Sequence, residues 1–409
     1  MADETVQPLV QFEGHRHLTT RLLLSTLTGR PIRISKIRPS STRPGLAPHE
    51  TNFIRLLDAV TNGAQIQFSM TGTTLVYRPG LITGSAEGLG AMGGVLRHEI
   101  PRECARRGAS WWLVPLAVLA PFAKDKLNVV LHGEGCVTAA TSSGDISVDT
   151  VRTAILPLYK SFGIDRNIEL RILRRSASPA QGKPAGGEVQ LVFGHQVRLP
   201  KTLHLMNKGR VKQIRGVAYA VGVSGSNNAR MIDSARGVLN KFVPDTYIFS
   251  DVSSAPLVAS STSSSRSDPN SNGKTKGAVG FGLSLVAESS THCLFSADVA
   301  SPAAGGVTPE DLGKQCAYQL LEKISKGGCV EETALETMLL LMAMGSEDVG
   351  RVCLGRDVLG SEDAVQLGRD VKAFTGVAWG LRSKSEEDDG EVVVSVVGRG
   401  VGNVGRKVA

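Results

Sequence analysis

The sequence lacks the features that mark membrane, secreted and zinc-binding proteins. Its six cysteines are scattered without a CxxC pair, which argues against a zinc knuckle or a disulfide framework and predicts reduced core thiols. The most apolar run, residues 111–123, is too short to span a bilayer and contains two prolines, so it predicts a buried helix. The first ten residues do not resemble a secretory signal. We therefore expect an intracellular protein with no membrane partner.

Aromatic residues and histidines are also few. Aromatics make up 5% of the chain, which argues against a platform that stacks single-stranded bases. There are eight histidines, and none follows His292. Those at positions 49, 98, 132 and 195 stand alone without the spacing of metal ligands, so we expect ordinary packing for each. Neither a metal nor another cofactor is predicted.

What the chain does contain is an ordinary globular composition with an excess of positive charge. Its 409 residues, 41% apolar and 21% charged, suffice for two domains with a substantial core. The net charge of +8 is compatible with a polyanionic partner.

The first basic stretch lies near the N-terminus. Residues 16–43 carry seven Arg or Lys and no acid, and a run of leucines is threaded through them. The pattern predicts an amphipathic helix over 18–27, a stop at Gly29, a short strand over 32–34 and a rigid basic loop closed by Arg43-Pro44-Gly45-Leu46. Guanidinium groups suit phosphate, so the candidate RNA-binding residues here are Arg16, Arg21, Arg38 and Arg43. A solvated charged face beside core leucines fits the same pattern.

A second acid-free basic stretch spans residues 189–232, on what is predicted to be a strand-rich insert. A helix over 229–242 and a strand over 278–287 follow. Between them, residues 253–277 are low in complexity and predict a disordered loop. The candidate RNA-binding residues of this stretch are Lys208, Arg210, Lys212 and Arg215.

A repeated junction of helix, glycine and strand predicts three similar α/β units. Helices are expected to end one residue before Gly63, Gly163 and Gly376, each followed by an alternating strand. Further helices are predicted after the N-cap Thr308 and over 332–344 and 361–374, then a last strand over 392–397 and a frayed tail. The predicted divisions are 1–198 for units one and two, 199–304 for the insert, and 305–409 for unit three with the basic tail.

Several segments together resemble the RNA 3′-terminal phosphate cyclase family, and more closely its eukaryotic non-cyclase branch, which acts in ribosome assembly. The resemblance covers nearly the whole chain and is carried by RPGL (43–46), RRGASWWLVPLAVLAPF (106–122), SPAQGKPAGGEVQL (178–191), KGRVKQIRGVAY (208–219), ARMIDSAR (229–236), GFGLSLVAES (280–289) and GVTPEDLGKQCAYQLLEKISKGGCV (306–330). It implies an α/β (α+β) fold: a large domain of three repeated units, each of two helices on a four-stranded sheet, with a smaller α/β insert domain.

The resemblance also implies that cyclase chemistry is lost. Cyclases use a histidine of the third unit to attack the α-phosphate of ATP, and imidazole suits this role as nucleophile and leaving group. The matching position here lies near Ser361-Glu362-Asp363-Ala364, where acids would repel phosphate. The glycine-rich phosphate cradle of cyclases is replaced by His15-Arg16-His17, whose bulk is expected to fill that space.

The function implied is therefore that of a non-catalytic nucleolar assembly factor for small-subunit (18S) rRNA processing. Its implied partners are pre-rRNA, a nucleolar GTPase and the small nucleolar ribonucleoprotein of the small-subunit processome. The alternative is a pre-rRNA endonuclease that uses an Arg-Asp-x-Lys cluster, here Arg369, Asp370 and Lys372, although these residues also fit a structural ion pair or surface charge. A retained ATP-dependent cyclase is the third and least favoured reading.

Overall fold

The chain folds into four four-stranded mixed sheets with helices packed against them. This computed structural model describes residues 8–87, 91–180, 183–194, 196, 198–259, 274–384 and 390–402. The mixed α/β class agrees with the prediction. No helix in the described ranges is both long enough and apolar enough to cross a bilayer.

The first sheet contains the N-terminal basic stretch. The strands of this region are β1 (Val10–Glu13), β2 (Ile32–Ser35), β3 (Thr61–Asn62), β4 (Gln65–Phe68), β5 (Leu75–Arg78) and β6 (Leu81–Ile82). Four of them form a sheet in the order β1-β2-β5-β4, and β3 pairs with β6. Helices α1 (Leu18–Thr28) and α2 (Pro48–Ala59) accompany them. Helix α1 ends at Gly29, as predicted, whereas α2 ends four residues before Gly63 because β3 intervenes.

The second sheet follows the same connectivity. Its order is β7-β8-β10-β9, built from β7 (Leu96–Glu99), β8 (Leu127–His132), β9 (Ile168–Arg174) and β10 (Glu188–Phe193). Helix α3 (Ser110–Leu119) is the predicted buried helix and contains Pro115. The helical segment 148–162 begins as α4 (Val148–Thr150), continues as a π-helical and then a 3₁₀ stretch, and ends one residue before Gly163.

The third sheet is assembled from both sides of the insert. Strand β11 (His204–Leu205) lies before the insert and pairs in parallel with β18 (Val349–Gly355), far along the chain. The insert sheet has the order β13-β12-β16-β17 and consists of β12 (Val211–Val221), β13 (Thr246–Ser253), β16 (Gly280–Ser289) and β17 (Leu294–Ala300). Strands β19 (Gly380–Ser383) and β20 (Glu391–Val397) complete the third sheet in the order β11-β18-β20-β19.

In the first, second and third sheets the outer strand runs parallel to its neighbour, and the two later strands join antiparallel. We interpret the three as repeats of one unit.

The insert sheet is covered on one face by two helices. Helices α5 (Ser226–Leu239) and α6 (Pro309–Ser325) pack against each other and against this sheet. Thr308 caps α6 as predicted, its hydroxyl accepting from the Asp311 amide at 3.2 Å. Two elements differ from the predicted divisions. Strand β11 falls in the range predicted for the insert but belongs to the third sheet, and α6 falls in the range predicted for unit three but packs on the insert sheet. The division of the chain into domains stays an interpretation.

The remaining helices border the third sheet. They are α7 (Glu332–Met344), α8 (Arg356–Leu359) and α9 (Glu362–Thr375). The Ser361 hydroxyl accepts from the Ala364 amide to cap α9, and Gly376 ends it with φ 75°.

Two segments are more ordered than predicted. Leu257–Ala259 (β14) pairs with Lys274–Lys276 (β15), so the flanks of the predicted disordered loop are strands. The middle of that loop, residues 260–273, lies outside the described residues. The tail was expected to be frayed, but the amides of Arg399, Gly400 and Val401 donate to carbonyls at the end of α7, which satisfies that helix terminus. Residues 403–409 lie outside the described part.

One large core joins all four sheets, and ion pairs of the buried Arg175 tie the insert to the second sheet. Arg175 Nη1 lies 2.5 Å from Asp149, at the start of the segment 148–162, and its Nε lies 2.5 Å from Asp251 on β13. The six cysteines are buried and unpaired, as predicted.

Candidate nucleic-acid interface

The loop that closes the first basic stretch is held rigid by close packing and by an internal ion pair. Gly45 has φ +84°, and a Cβ there would lie 2.3 Å from the Thr71 carbonyl oxygen, so a side chain does not fit. Arg38 donates to both carboxylate oxygens of Glu50 at 2.7 Å and to the Gly45 carbonyl at 3.2 Å. Arg43 is exposed and has no carboxylate within 4.0 Å among the described residues. The loop therefore presents Arg43, while Arg38 holds the loop together.

Arg21 does not reach the surface. Its Nε donates to Asp370 Oδ2 at 2.9 Å, its Nη1 donates to the Glu13 carbonyl at 3.3 Å, and its guanidinium lies 4.5 Å from the centre of the Phe12 ring. Only 7% of the Arg21 side chain and 2% of the Asp370 side chain is exposed. The prediction that Arg21 binds RNA is therefore corrected: this guanidinium is an internal contact between α1 and α9.

Arg16 lies on the surface and pairs with Glu362 at the start of α9. Both side chains are mostly exposed, and such surface pairs contribute little and exchange readily with solvent or a ligand. Arg16 is thus accessible to phosphate, and its role in RNA binding stays a prediction.

The four candidates of the second basic stretch lie around the start of β12: Lys208 and Arg210 precede the strand, and Lys212 and Arg215 are on it. Arg210 and Lys212 are exposed and have no carboxylate within 4.0 Å among the described residues. Arg215 forms an ion pair with Asp245 at 2.8 Å, and the half-buried Lys208 lies 3.5 Å from the Ile324 carbonyl. Arg210 and Lys212, together with Arg43, are the predicted RNA-binding residues with the fewest internal contacts.

The endonuclease candidates point in different directions. Arg369 and Lys372 are exposed on α9, whereas Asp370 is buried. Gln366 Nε2 donates to Asp370 Oδ1 at 2.7 Å and Arg21 occupies Oδ2, so both oxygens have partners. A general base must reach the proton it removes. These three side chains therefore do not converge on one phosphate, and the structure favours the alternative of a structural ion pair.

A cavity of about 690 Å³ lies between the helices α1, α3, α7 and α9. Its wall on the α1 side belongs to the first basic stretch. Its walls combine apolar side chains with polar and charged ones. Its charged or titratable lining residues are His17, Arg107, Asp145, Glu332, Glu336 and Asp363. The start of α9, where the resemblance is expected to place the cyclase nucleophile, lines this cavity with Ser361, Asp363 and Ala364. Of the three residues expected to fill the phosphate cradle, only His17 lines the cavity, which stays open.

Four carboxylates give this cavity an acidic lining despite the helix N-termini around it. Arg107 Nη2 lies 2.7 Å from Asp145, and His17 Nε2 lies 3.6 Å from Asp363. Burial raises the pKa of Glu336, an effect opposed by the hydrogen bond from the Thr20 hydroxyl. Phosphate groups of a nucleotide would meet this lining with like charge.

The sequence did not point to Glu336. The sequence does contain a weak signal, because Glu336 is an acidic residue in a helix whose other residues are mostly apolar and buried. Its position beside the start of α9 depends on how the helices pack, which no local pattern encodes.

Two of the isolated histidines, His49 and His98, contact neighbouring side chains. Burial lowers the pKa of His49 to about 4, and its ring meets the edge of Trp111. Burial, with the charges of His132 and Arg55, lowers the pKa of His98 to about 4. His195 lies outside the described residues. Within the described part of the chain, no three His, Cys, Asp or Glu side chains are grouped to hold a metal ion.

Comparison of the sequence with known proteins assigns the chain to a family. The family described as RNA 3′-terminal phosphate cyclase matches residues 10–379. The chain is 40% identical over 406 residues to the RNA 3′-terminal phosphate cyclase-like protein of Homo sapiens, covering 97% of each chain. It is 36% identical to the rRNA processing protein rcl1 of Schizosaccharomyces pombe, over 98% of each, and 32% identical to the rRNA processing protein RCL1 of Saccharomyces cerevisiae, over 97% of each. The chain therefore belongs to the RNA 3′-terminal phosphate cyclase family.

Proposed function

We propose that this protein is a non-catalytic assembly factor in rRNA processing. The observation that carries the proposal is the acidic cavity: Asp363 lines it, in the segment that the resemblance matches to the cyclase nucleophile, and no histidine follows His292 in the chain. An acidic lining repels the phosphates of a nucleotide, and this disfavours the attack on ATP that cyclases perform. The names of two relatives, which are rRNA processing proteins, support the role.

The finer form of the proposal concerns place and partners. The protein acts in the nucleus, in the nucleolus, on the small-subunit (18S) rRNA precursor. There it binds pre-rRNA, a nucleolar GTPase and the small nucleolar ribonucleoprotein of the small-subunit processome. The exposed Arg43, Arg210 and Lys212 support the RNA part, because phosphate contacts give affinity that does not depend on sequence.

Depletion of the protein from its own cells tests this function. We expect mature small-subunit rRNA to fall and its precursors to accumulate, while large-subunit rRNA is maintained, as measured by hybridisation. Re-expression of the wild-type chain and of the His17→Ala variant restores processing. Normal small-subunit rRNA after complete depletion contradicts the proposal.

A further inference from the structure

Two of the chain's few aromatic residues lie together on the insert sheet. Tyr247 and Phe249 occupy alternate positions of the outer strand β13, and they are 57% and 55% exposed. Their rings meet edge to face with centres 4.7 Å apart. The alternate residues Thr246 and Ile248 are buried on the side of the strand that α5 contacts. The aromatic pair therefore points away from the helices, towards solvent.

The second unit covers only the far half of this face. Val217 on β12 lies opposite Phe249 and also opposite Ser284 on β16, so the three side chains share one face of the sheet. The Thr150 hydroxyl lies 2.7 Å from that of Ser284 and donates to Asp298 on β17 at 2.6 Å. The aromatic pair thus forms the outer margin of a face whose other margin is already packed.

Positive charge lies beside the aromatic pair. Arg215 on β12 is directly opposite Tyr247, and 40% of its side chain is exposed. Because β12 and β13 run parallel, the start of β12 lies at the same end of the sheet as the start of β13. Arg210 and Lys212 lie at that end, exposed and without an ion pair in the part of the chain that the structure describes.

The carboxylates of β13 and of the residue before it do not cancel this charge. Asp245 pairs with Arg215 at 2.8 Å, and Asp251 pairs with the buried Arg175 at 2.5 Å. Each of these acids therefore has its own counter-ion, and the charge on the exposed cations at the start of β12 is left to attract an anion.

We propose that this face binds single-stranded RNA, with two neighbouring bases stacked on Tyr247 and Phe249 and the backbone phosphates beside Arg210 and Lys212. Bases of every kind stack on aromatic rings, whereas a duplex keeps its base faces inside the helix. Two rings suffice for two bases, so the low aromatic content of the chain does not exclude such a site. The proposal rests on the proposed function and specifies that the rRNA precursor is contacted where it is unpaired.

The charge favours RNA over a protein on this face. A protein that covered the two rings with apolar side chains would leave the neighbouring cations without an anionic partner, whereas the backbone of a stacked strand supplies a phosphate beside every base.

The test compares two ten-nucleotide RNAs that differ only in their bases. One is an unstructured single strand and the other carries an abasic site at every position, and fluorescence anisotropy measures the affinity of the purified full-length chain for each. Wild type should bind the normal strand about tenfold or more tightly than the abasic strand. Tyr247→Leu and Phe249→Leu keep an apolar side chain but remove the ring. Each should weaken the normal strand by about tenfold and leave the abasic strand within about twofold.

Tyr318→Leu is the matched control. Tyr318 is 60% exposed, but it lies on α6, which packs against the opposite face of the sheet. Both affinities of this variant should stay within about twofold of wild type, since an exposed side chain away from the site is exchanged. The slope of log K against log salt should be the same in all three leucine variants as in wild type, because no phosphate contact is removed.

Two results would overturn the stacking site: equal affinity of wild type for the normal and abasic strands, or unchanged affinity of both Tyr247→Leu and Phe249→Leu for the normal strand. Dimerisation of wild type in sedimentation experiments that both variants lose would overturn RNA as the occupant in favour of a second copy of the chain.

These measurements contain no cellular readout. Normal small-subunit rRNA after depletion of the protein would refute the rRNA processing role and leave the difference between the two strands intact. Equal affinities would refute the stacking site and leave the rRNA processing role to the depletion experiment.

Discussion

Arg21 and Asp370 form a buried ion pair between the first helix and the last, across most of the length of the chain. Removing one member leaves the other charged in the interior and without its counter-ion. We expect Asp370→Ala to lower the free energy of unfolding by about 3–5 kcal/mol, measured by denaturant titration. Arg369→Ala changes an exposed neighbour and should stay within about 0.5 kcal/mol.

The same pair separates a structural role from a nuclease. Arg21→Met with Asp370→Leu replaces the pair by apolar groups of similar size, and most of the lost stability should return. If the stable double variant binds a pre-rRNA fragment as wild type does, and neither protein cuts it, Asp370 is structural. Cleavage by wild type that the double variant loses would revive the endonuclease.

Salt dependence of RNA binding tests the exposed basic residues. Arg43→Ala and Lys212→Ala should each reduce the slope of log K against log salt by about 0.7, the value for one phosphate contact on a single strand. Arg171→Ala is the control, because this exposed arginine already pairs with Glu169 on the second sheet. Filter binding between low and high salt measures the slopes. Unchanged slopes for both variants would contradict the assignment of RNA binding to these residues.

Labelled ATP tests the loss of cyclase chemistry. His17 is the histidine that lines the cavity in the described part of the chain, and it lies beside Asp363 among carboxylates that repel phosphate. We expect no acid-labile AMP on the protein after incubation with ATP and a divalent cation. His17→Ala should behave identically. Covalent AMP on wild type that is absent from His17→Ala would establish a replacement nucleophile.

His98 gives the protein a pH dependence of known sign. Its Nε2 lies 2.9 Å from Asn52 Oδ1, and its pKa falls from 6.5 to about 4. The unfolded chain therefore takes up this proton first, so stability is full above pH 6.5 and is lost as pH falls towards 4. Between pH 7 and pH 5, the free energy of unfolding of wild type should fall by about 2 kcal/mol more than that of His98→Gln. Denaturant titrations at the two pH values measure this difference.

One outcome contradicts this assignment to His98. An unchanged slope in His98→Gln would show that other groups govern the acid response.

Local patterns predicted the elements that depend on neighbours in the sequence. Helix α9 was expected over 361–374 and spans Glu362–Thr375, because Ser361 caps it and Gly376 ends it. Helix α7 has its predicted bounds. The contacts between distant segments were not predictable in this way. Arg21 looked like a surface cation because nothing near it in sequence is acidic, and its partner comes from the other end of the chain.

The same limit explains the cavity. The sequence indicated that acids occupy the cyclase nucleophile's position, and Asp363 does line the cavity. It did not indicate that Glu336 faces the same space, since that depends on the packing of α7 against α1. The low-complexity composition of residues 253–277 also led to too much predicted disorder. Strands β14 and β15, near the two ends of that segment, pair with each other.

The parallel pairing of β11 with β18 has a consequence for biosynthesis. Leu205 leaves the ribosome early, but its partner Val352 emerges only after the whole insert has been translated. In a nascent chain this short strand therefore stays without its β18 partner until the insert has been made. Strand pairs that are far apart in sequence form slowly. We therefore expect misfolding of the nascent chain, and its binding by chaperones, mainly while the last hundred residues are translated.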